Sequence, residues 1–146
     1  MTPTLSHRLI LPADANHHGT LYAGSLLRLT LEAGYATAWQ YLGTKANVVL
    51  RRVHNVECLR PVPVGTVIEI QGMVLYRAQT HLVAGMYGTP LGPDQGPWME
   101  ALLGFVQVDA DGRPAALPGG PEELTFPETE PWPRLADRLR KLLRVR

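Results

Sequence analysis

The sequence predicts an α+β fold in which an antiparallel sheet of about five strands wraps around one long central helix, with a further helix at the C-terminus. Two observations predict it. Residues 21–42 form one helix-compatible run whose only charged residues are Arg28 and Glu32, and a helix that is apolar on nearly all sides is typically buried. The segments that follow alternate in part between apolar and polar residues, as strands do.

The first half of the chain contains the predicted central helix. Residues 5–11 are expected to form a short strand that ends at Pro12, and the ADANHHG segment has the composition of a loop. The helix predicted over residues 21–42 is followed by Gly43, the residue type most typical of a helix C-terminus.

The second half of the chain is predicted to supply the rest of the sheet. Four further strands are expected over residues 46–60, 66–76, 80–88 and 98–108. A connector rich in Pro and Gly over residues 118–133 then leads to a short amphipathic helix. Its apolar face would carry Leu135, Leu139, Leu142 and Leu143. One sheet cannot hide an apolar helix and also leave no exposed edge, so we expect a homodimer that continues the sheet.

Composition and charge exclude several classes of protein. With 45% apolar and 18% charged residues, the chain has an ordinary globular composition, and no segment predicts a membrane span or a signal peptide. Cys58 is the only cysteine, which favours the cytoplasm. Residues 134–146 carry a net charge of +5, which leaves −4 on the first 133 residues. So acidic a body does not favour nucleic-acid binding. The basic tail is either an anion site or, more simply, a complement to the helix dipole.

Four passages carry a resemblance to a known family. They are PADANHHGTLYAGSLL, LEAGYATAW, VECLRPVPVGTVIEI and ALLGFVQVDADGRPAALP. In these passages the sequence resembles the acyl-CoA hydrolase branch of the hot-dog thioesterases, including the brain-type long-chain acyl-CoA hydrolases. The match lies in register over about residues 9–118.

The resemblance implies a hot-dog domain over residues 1–118, followed by the connector and the basic C-terminal helix over residues 119–146. It implies an acyl-CoA thioesterase that hydrolyses acyl-CoA to the free acid and CoA at a subunit interface. The expected assembly is a dimer or a higher oligomer, such as a tetramer or a hexamer. CoA is part of the substrate, and neither a metal nor another cofactor is implied.

The resemblance also implies catalytic residues. Asn16 matches the family's functional asparagine, whose amide can donate to the thioester oxygen and accept from the attacking water; the alternative is a turn asparagine that caps local backbone. Gly24 lies at the helix start, where unpaired N–H groups suit a carbonyl oxygen; it could equally allow tight packing of the helix on the sheet. Asp14 is expected to fix the loop.

The family's catalytic carboxylate is absent from its usual position. Seven residues after Gly24 the family carries Asp or Glu, whereas this chain has Leu31. Glu32 is the candidate replacement, but one helical step turns it by about 100°, and an ion pair with Arg28 is its alternative role. Leu31 therefore also supports a second hypothesis, a non-catalytic acyl-CoA-binding or regulatory protein.

The remaining candidates are expected to bind the substrate. Arg60 and Arg77 match strand ends where the family places basic side chains for the CoA phosphates, and Thr80 matches a position near the pantetheine. Each arginine could equally be a solvated strand-end charge. Cys58 is expected to be a small buried apolar residue. The histidines show no zinc-ligand spacing, so no metal site is predicted.

Overall fold

The computed structural model describes residues 2–92, 96–119 and 124–144 and confirms the predicted order of elements. The elements are β1 (Thr4–Leu9), α1 (Ala23–Leu42), β2 (Val48–Cys58), β3 (Val67–Arg77), β4 (His81–Pro90), β5 (Met99–Gln107) and α2 (Trp132–Arg144). Each boundary lies within a few residues of its predicted place. Residues 120–123 of the predicted connector and residues 145–146 of the basic tail lie outside the described residues.

The five strands form one antiparallel sheet in the order β1-β3-β4-β5-β2. β1 and β2 are therefore the two edge strands. α1 packs on one face of the sheet, and α2 packs on the other.

The larger core lies between α1 and the sheet, and Gly34 is one reason why the helix approaches so closely. A Cβ at Gly34 would collide with the side chain of Leu103 and lie 3.4 Å from the ring of Phe105. Both are buried residues of β5. The missing side chain therefore lets the helix backbone settle on the centre of the sheet.

α1 is not buried on all sides, which corrects the expectation drawn from its composition. Leu27, Tyr35 and Trp39 are 42%, 44% and 45% exposed. A single sheet can cover only one side of a helix, so the described part of the chain leaves these apolar residues on the other side exposed. The exposed side includes the Tyr35 ring, which makes an edge contact with Phe105 at 6.4 Å between centroids.

α2 is held on the other face of the sheet by apolar contacts and by one buried carboxylate. Its buried residues are Trp132, Leu135, Ala136 and Leu139. Glu100 of β5 is 2% exposed and accepts hydrogen bonds from Arg134 (2.7 Å) and Arg138 (2.9 Å). Two of the basic residues in the tail thus neutralise a buried acid of the sheet. Among the described residues, neither helix has the combination of length and apolarity that a membrane span requires.

Candidate active site

The loop before α1 forms a tight turn that fixes the position of Asn16. The N–H of Asn16 donates to the carbonyl of Thr20 (2.8 Å), and the N–H of Gly19 donates to the carbonyl of Asn16 (3.1 Å). Gly19 has a φ of 73°, in the left-handed region that favours glycine. The turn is tied to the segment after β2, because the N–H of Val64 donates to the carbonyl of Gly19 (3.0 Å).

Of the two polar atoms in the Asn16 side chain, the described residues form hydrogen bonds only with Oδ1. Its Oδ1 accepts from the backbone N–H of His18 (2.9 Å) and from both the N–H and the hydroxyl of Thr20 (3.2 Å each). These donors fix the amide orientation and leave no capacity on Oδ1 for a water. Nδ2 has no acceptor among the described residues. Asn16 therefore caps local backbone, as its alternative interpretation held, and still presents free N–H donors.

Asp14 anchors this loop to the first strand and to α1. Its carboxylate accepts from the N–H of Leu11 (2.9 Å) and from Arg8 (3.0 Å), and it lies 3.6 Å from the guanidinium of Arg28. The hydrogen bond from Leu11 lowers the pKa of Asp14, burial raises it, and Arg8 lowers it further, so the net pKa lies below its ordinary value. Asp14 is thus a buried anion with a structural role.

The start of α1 presents backbone donors. Tyr22 is the N-cap residue and makes no side-chain capping bond. The N–H groups of Ala23, Gly24 and Ser25 have no acceptor among the described residues, as is usual for the first turn of a helix. Because these groups also form the positive end of the helix dipole, they suit an oxygen that gains negative charge.

Gly24 makes room for the ring of Tyr22 and not for the sheet. Gly24 is exposed, and a Cβ placed on it would collide with the Tyr22 ring. Because Gly24 is exposed and its nearest neighbour is the Tyr22 ring, these contacts give no support to the interpretation that it allows tight helix–sheet packing. Gly34, ten residues further along α1, has that function.

A cleft of about 320 Å³ lies beside the helix start. Its lining comprises Asn16, Thr20, Leu21, Ala23, Leu26, Cys58, Leu59, Arg60, Pro61 and Val62. The cleft brings together Asn16, the first residue of α1 and Arg60. Cys58 is exposed, which corrects the expectation that it is buried. It is the last residue of β2, where the strand leaves the cover of the core.

Arg60 presents a cation at this cleft. Its guanidinium rests against Gly96, where an added Cβ would lie 2.9 Å from one Nη. No carboxylate within the described ranges forms an ion pair with it. A cation that borders a cleft and has no carboxylate partner in the described part of the chain suits an anionic ligand.

Arg77 and Thr80 lie elsewhere in this protomer. Arg77 donates to the hydroxyl of Tyr41 (3.2 Å) and to the carbonyl of Pro118 (2.9 Å). The carbonyl of Thr80 accepts from the N–H of Gln107 (2.8 Å). Tyr41 is near the C-terminal end of α1, whose 20 residues span about 30 Å. Neither residue lines the cleft at Asn16.

Leu31 and Glu32 occupy the middle of α1, about 12 Å along the helix from Ala23. Leu31 packs, partly buried, against the core. Glu32 is 61% exposed and pairs with Arg28 at 3.5 Å, the predicted ion pair. Arg28 also lies 3.6 Å from Asp14, so Glu32 and Asp14 share one arginine. Within one protomer, neither residue reaches Asn16.

Two features of the site were not expected from the sequence, the ring of Tyr22 and the exposure of Cys58. Strand alternation predicts the opposite of the second, because Cys58 lies two residues after Val56, which packs on the α1 face, and so shares that face. Its exposure follows instead from its place at the end of β2. The position of the Tyr22 ring depends on a side-chain rotamer that no sequence pattern encodes.

Comparison with known proteins places the chain among acyl-CoA thioester hydrolases. The acyl-CoA thioester hydrolase YciA of Escherichia coli K12 is 31% identical over 117 residues, covering 75% of this chain and 86% of the relative. YciA of Salmonella typhimurium is 32% identical with the same coverage. No protein-family model matches the sequence.

Solved structures confirm the hot-dog fold. An acyl-CoA hydrolase from Staphylococcus aureus, in complex with butyryl-CoA and CoA, has a TM-score of 0.82 at 23% identity, covering 97% of this chain and 84% of the other. An apo-hexameric acyl-CoA thioesterase has a TM-score of 0.78 at 25% identity, covering 97% and 88%. The hexameric thioesterase from Yersinia pestis has a TM-score of 0.71 at 25% identity, covering 78% and 93%. With a sequence relative that is aligned over most of both chains, this protein belongs to the acyl-CoA thioester hydrolase family.

Proposed function

We propose that this protein hydrolyses acyl-CoA thioesters to the free acid and CoA. The observation that carries the proposal is the pairing of two sets of free N–H donors at one cleft. The open Nδ2 of Asn16 is one set, and the first-turn N–H groups of α1 at Ala23 and Gly24 are the other. Donors that are held in place before the substrate arrives stabilise the oxyanion of acyl transfer.

The proposed reaction is direct hydrolysis. The thioester carbonyl oxygen accepts from Asn16 and from the helix start, which makes the carbonyl carbon more electrophilic. A water oxygen attacks that carbon, and the C–S bond breaks. The proton that the water loses is transferred to the sulfur, so the products are the free acid and CoA. Neither a metal ion nor a cofactor takes part in this scheme.

Arg60 is proposed to hold the CoA end of the substrate. It borders the same cleft as Asn16, and its guanidinium is suited to paired hydrogen bonds with phosphate oxygens. Arg77 and Thr80 lie at the far end of α1 in the same protomer. In this proposal Arg77 and Thr80 contact the CoA that is bound at the cleft of the partner subunit, and not the CoA at the cleft of their own chain.

A second copy of the chain is proposed to complete the site. The exposed Tyr35 of α1 contacts Phe105 of β5, the strand that neighbours the edge strand β2. On β2 itself, Val49, Leu50 and Val53 are 48%, 45% and 43% exposed. Pairing through β2 would cover both surfaces at once. The relatives described as hexameric are consistent with such self-association.

The acceptor of the water's proton is proposed to be Glu32 of the partner's α1. Its ion pair with Arg28 is exposed on both sides and therefore weak, so the carboxylate can leave it. The S. aureus hydrolase has been studied as alanine variants of an asparagine and of an aspartate fifteen residues further on. Fifteen residues after Asn16, this chain has Leu31. Glu32 is one helical step away, so we expect it to be a poorer base than an acid at position 31.

Leu31 also favours a second candidate function, the binding of acyl-CoA without hydrolysis. A chain that keeps the cleft, Asn16 and Arg60 but has an apolar residue at the expected carboxylate position would retain the ligand and lose the base. Under this alternative, acyl-CoA binds and no thiol is released.

Asn16→Asp tests the proposal with a nearly isosteric change. Aspartate keeps an oxygen for the turn bonds from His18 and Thr20 but removes the Nδ2 donor. We expect hydrolysis of an acyl-CoA panel by the wild type, measured as thiol release, and a drop in kcat of roughly 10²–10³-fold in the variant. Asn55→Asp, on β2, is the matched control, because its Oδ1 likewise accepts a hydrogen bond, from Arg138 (3.2 Å). Unchanged turnover in Asn16→Asp at an unchanged melting temperature contradicts the mechanism; calorimetric binding of acyl-CoA with no wild-type turnover supports the alternative function.

A further inference from the structure

Tyr22, the residue immediately before α1, holds its ring against the first helical turn. Its backbone is fixed from both sides, because its N–H donates to the carbonyl of Asp14 and its carbonyl accepts from the N–H of Leu26 (2.8 Å each). The ring occupies the space that a Cβ at Gly24 would need. Tyr22 is nevertheless 55% exposed, and its hydroxyl has no partner within the described parts of the chain. An exposed aromatic surface is thus fixed beside free N–H donors.

The two sides of the helix start carry different surfaces. The cleft with Asn16 and Arg60 lies on one side and is lined by Ala23 and Leu26 of α1. The Tyr22 ring is not part of that lining. It lies over Gly24, which is turned about 100° around the helix axis from Ala23.

These positions determine how a thioester can lie across the helix start. Its carbonyl oxygen is placed at the N–H donors, and its CoA phosphates at Arg60, so the pantetheine arm occupies the cleft. The acyl group is bonded to the same carbonyl carbon as the sulfur and extends from it in a different direction. The Tyr22 ring is an exposed apolar surface at this helix start that does not line the cleft.

We infer that Tyr22 contacts the acyl chain of the substrate next to the thioester and so sets the preference for chain length. This inference rests on the proposed function and names the part of the substrate that the ring recognises, the first methylenes of a saturated acyl chain. The flat side of an aromatic ring provides apolar cover for such a chain. Gly24 has a second role here, because any side chain at that position would push the ring away from the turn.

The test compares acetyl-CoA with hexanoyl-CoA in the wild type, Tyr22→Phe and Tyr22→Ala. Both kcat/KM from thiol release and the Kd of each thioester from calorimetry are measured. Loss of cover for about two methylenes should lower the hexanoyl-to-acetyl ratio about tenfold in Tyr22→Ala. Tyr22→Phe keeps the ring and should keep the ratio. Leu5→Ala, which truncates another exposed apolar side chain on β1, is the control.

The outcomes separate this inference from the proposed function. A ratio in Tyr22→Ala equal to that of the wild type overturns the inference even if the wild type hydrolyses both substrates. Should the wild type turn over neither thioester, the proposed hydrolysis fails, and the ratio of Kd values then decides the inference alone. Gly24→Ala provides an independent arm, because displacing the ring should change the same ratio in the same direction as Tyr22→Ala.

Discussion

At the scale of single residues, the exchange of a carboxylate for Leu31 has two physical consequences. A leucine adds apolar area against the core, where Leu31 packs partly buried. It also removes the charge that would otherwise face a second subunit from the middle of α1. Under the proposed function the same residue favours folding and weakens general-base catalysis, and the two effects can be separated by substitution.

Leu31→Asp is expected to increase kcat at least tenfold, because a positioned general base contributes about 10²–10⁴-fold and the new position is not yet optimised. The variant should be less stable by about 1–2 kcal/mol, since apolar contact is lost and a carboxylate is partly desolvated. Its rate should also fall below the pKa of the new acid, which a pH–rate profile will show. Leu27→Asp, one turn earlier on the same helix, is the control for charge alone.

An unchanged kcat in a folded Leu31→Asp protein would contradict this expectation. It would mean that the protein already uses another base, and Glu32 would then be the first residue to replace. A gain shared equally with Leu27→Asp would show that added negative charge, and not its position, alters the rate.

The sequence predicted the contacts or exposure of some side chains correctly and those of others incorrectly. The Arg28–Glu32 ion pair follows from helical spacing alone and is present. The contacts of Asn16 depend on a local turn, and its capping role could be expected from its residue type. Cys58 was misjudged because its residue type is most often buried, whereas its exposure depends on where β2 ends. Contacts between residues that are close in the sequence can be predicted from residue type and spacing. The exposure of a side chain depends on the whole fold.

At the scale of elements, the order of helices and strands was predictable, while the burial of α1 was not. The apolar composition of residues 21–42 gives the helix but does not say what covers Leu27, Tyr35 and Trp39. An apolar pattern indicates which residues favour burial. It does not indicate whether the surface that buries them belongs to the same chain or to another one. Likewise, the sequence alone predicts that the basic residues of α2 are solvated. In the fold, Arg134 and Arg138 instead contact the buried Glu100 of the sheet.

Glu100 provides a test of how α2 is attached. Burial raises the pKa of Glu100, but hydrogen bonds from Arg134 and Arg138 hold it below its ordinary value. Because the folded-state pKa is depressed, the resulting stability is present above the unfolded pKa and is lost as the pH falls through the folded one. The double variant Arg134→Met, Arg138→Met leaves the acid buried and unpaired, and we expect a loss of about 3–5 kcal/mol at pH 7 in chemical denaturation.

Two comparisons check this account of α2. Glu100→Gln should cost less than the double arginine variant, since both arginines are partly exposed and can be hydrated again. It should also weaken the dependence of stability on pH in the acidic range. Asp137→Asn removes only exposed ion pairs with Arg140 and Lys141, so it should cost less than about 1 kcal/mol. A double arginine variant as stable as the wild type would show that apolar packing alone holds α2.

At the scale of the whole molecule, a single chain leaves two features without explanation. The middle of α1 lies about 12 Å along the helix from Ala23, which shares the cleft with Asn16, and aromatic residues of α1 are exposed. Both features are explained if the functional unit contains two chains, with the Asn16 loop of one facing α1 of the other. Under this proposal the hydrophobic pattern in the sequence is a property of the assembly, which would explain why it predicted a more deeply buried helix than one chain provides.

Val53→Lys tests this assembly at the edge of the sheet. Val53 lies in the middle of β2 and is 43% exposed, so a charge there would be buried, without a partner, in a pairing through β2. We expect the variant to sediment as a smaller species than the wild type in analytical ultracentrifugation and to lose thioesterase activity in parallel. Leu5→Lys places the same charge on the opposite edge strand β1, at a residue 60% exposed, and should change neither property. If Leu5→Lys dissociates the assembly and Val53→Lys does not, the subunits meet through β1, and the proposed approach of Asn16 to the partner's α1 is wrong.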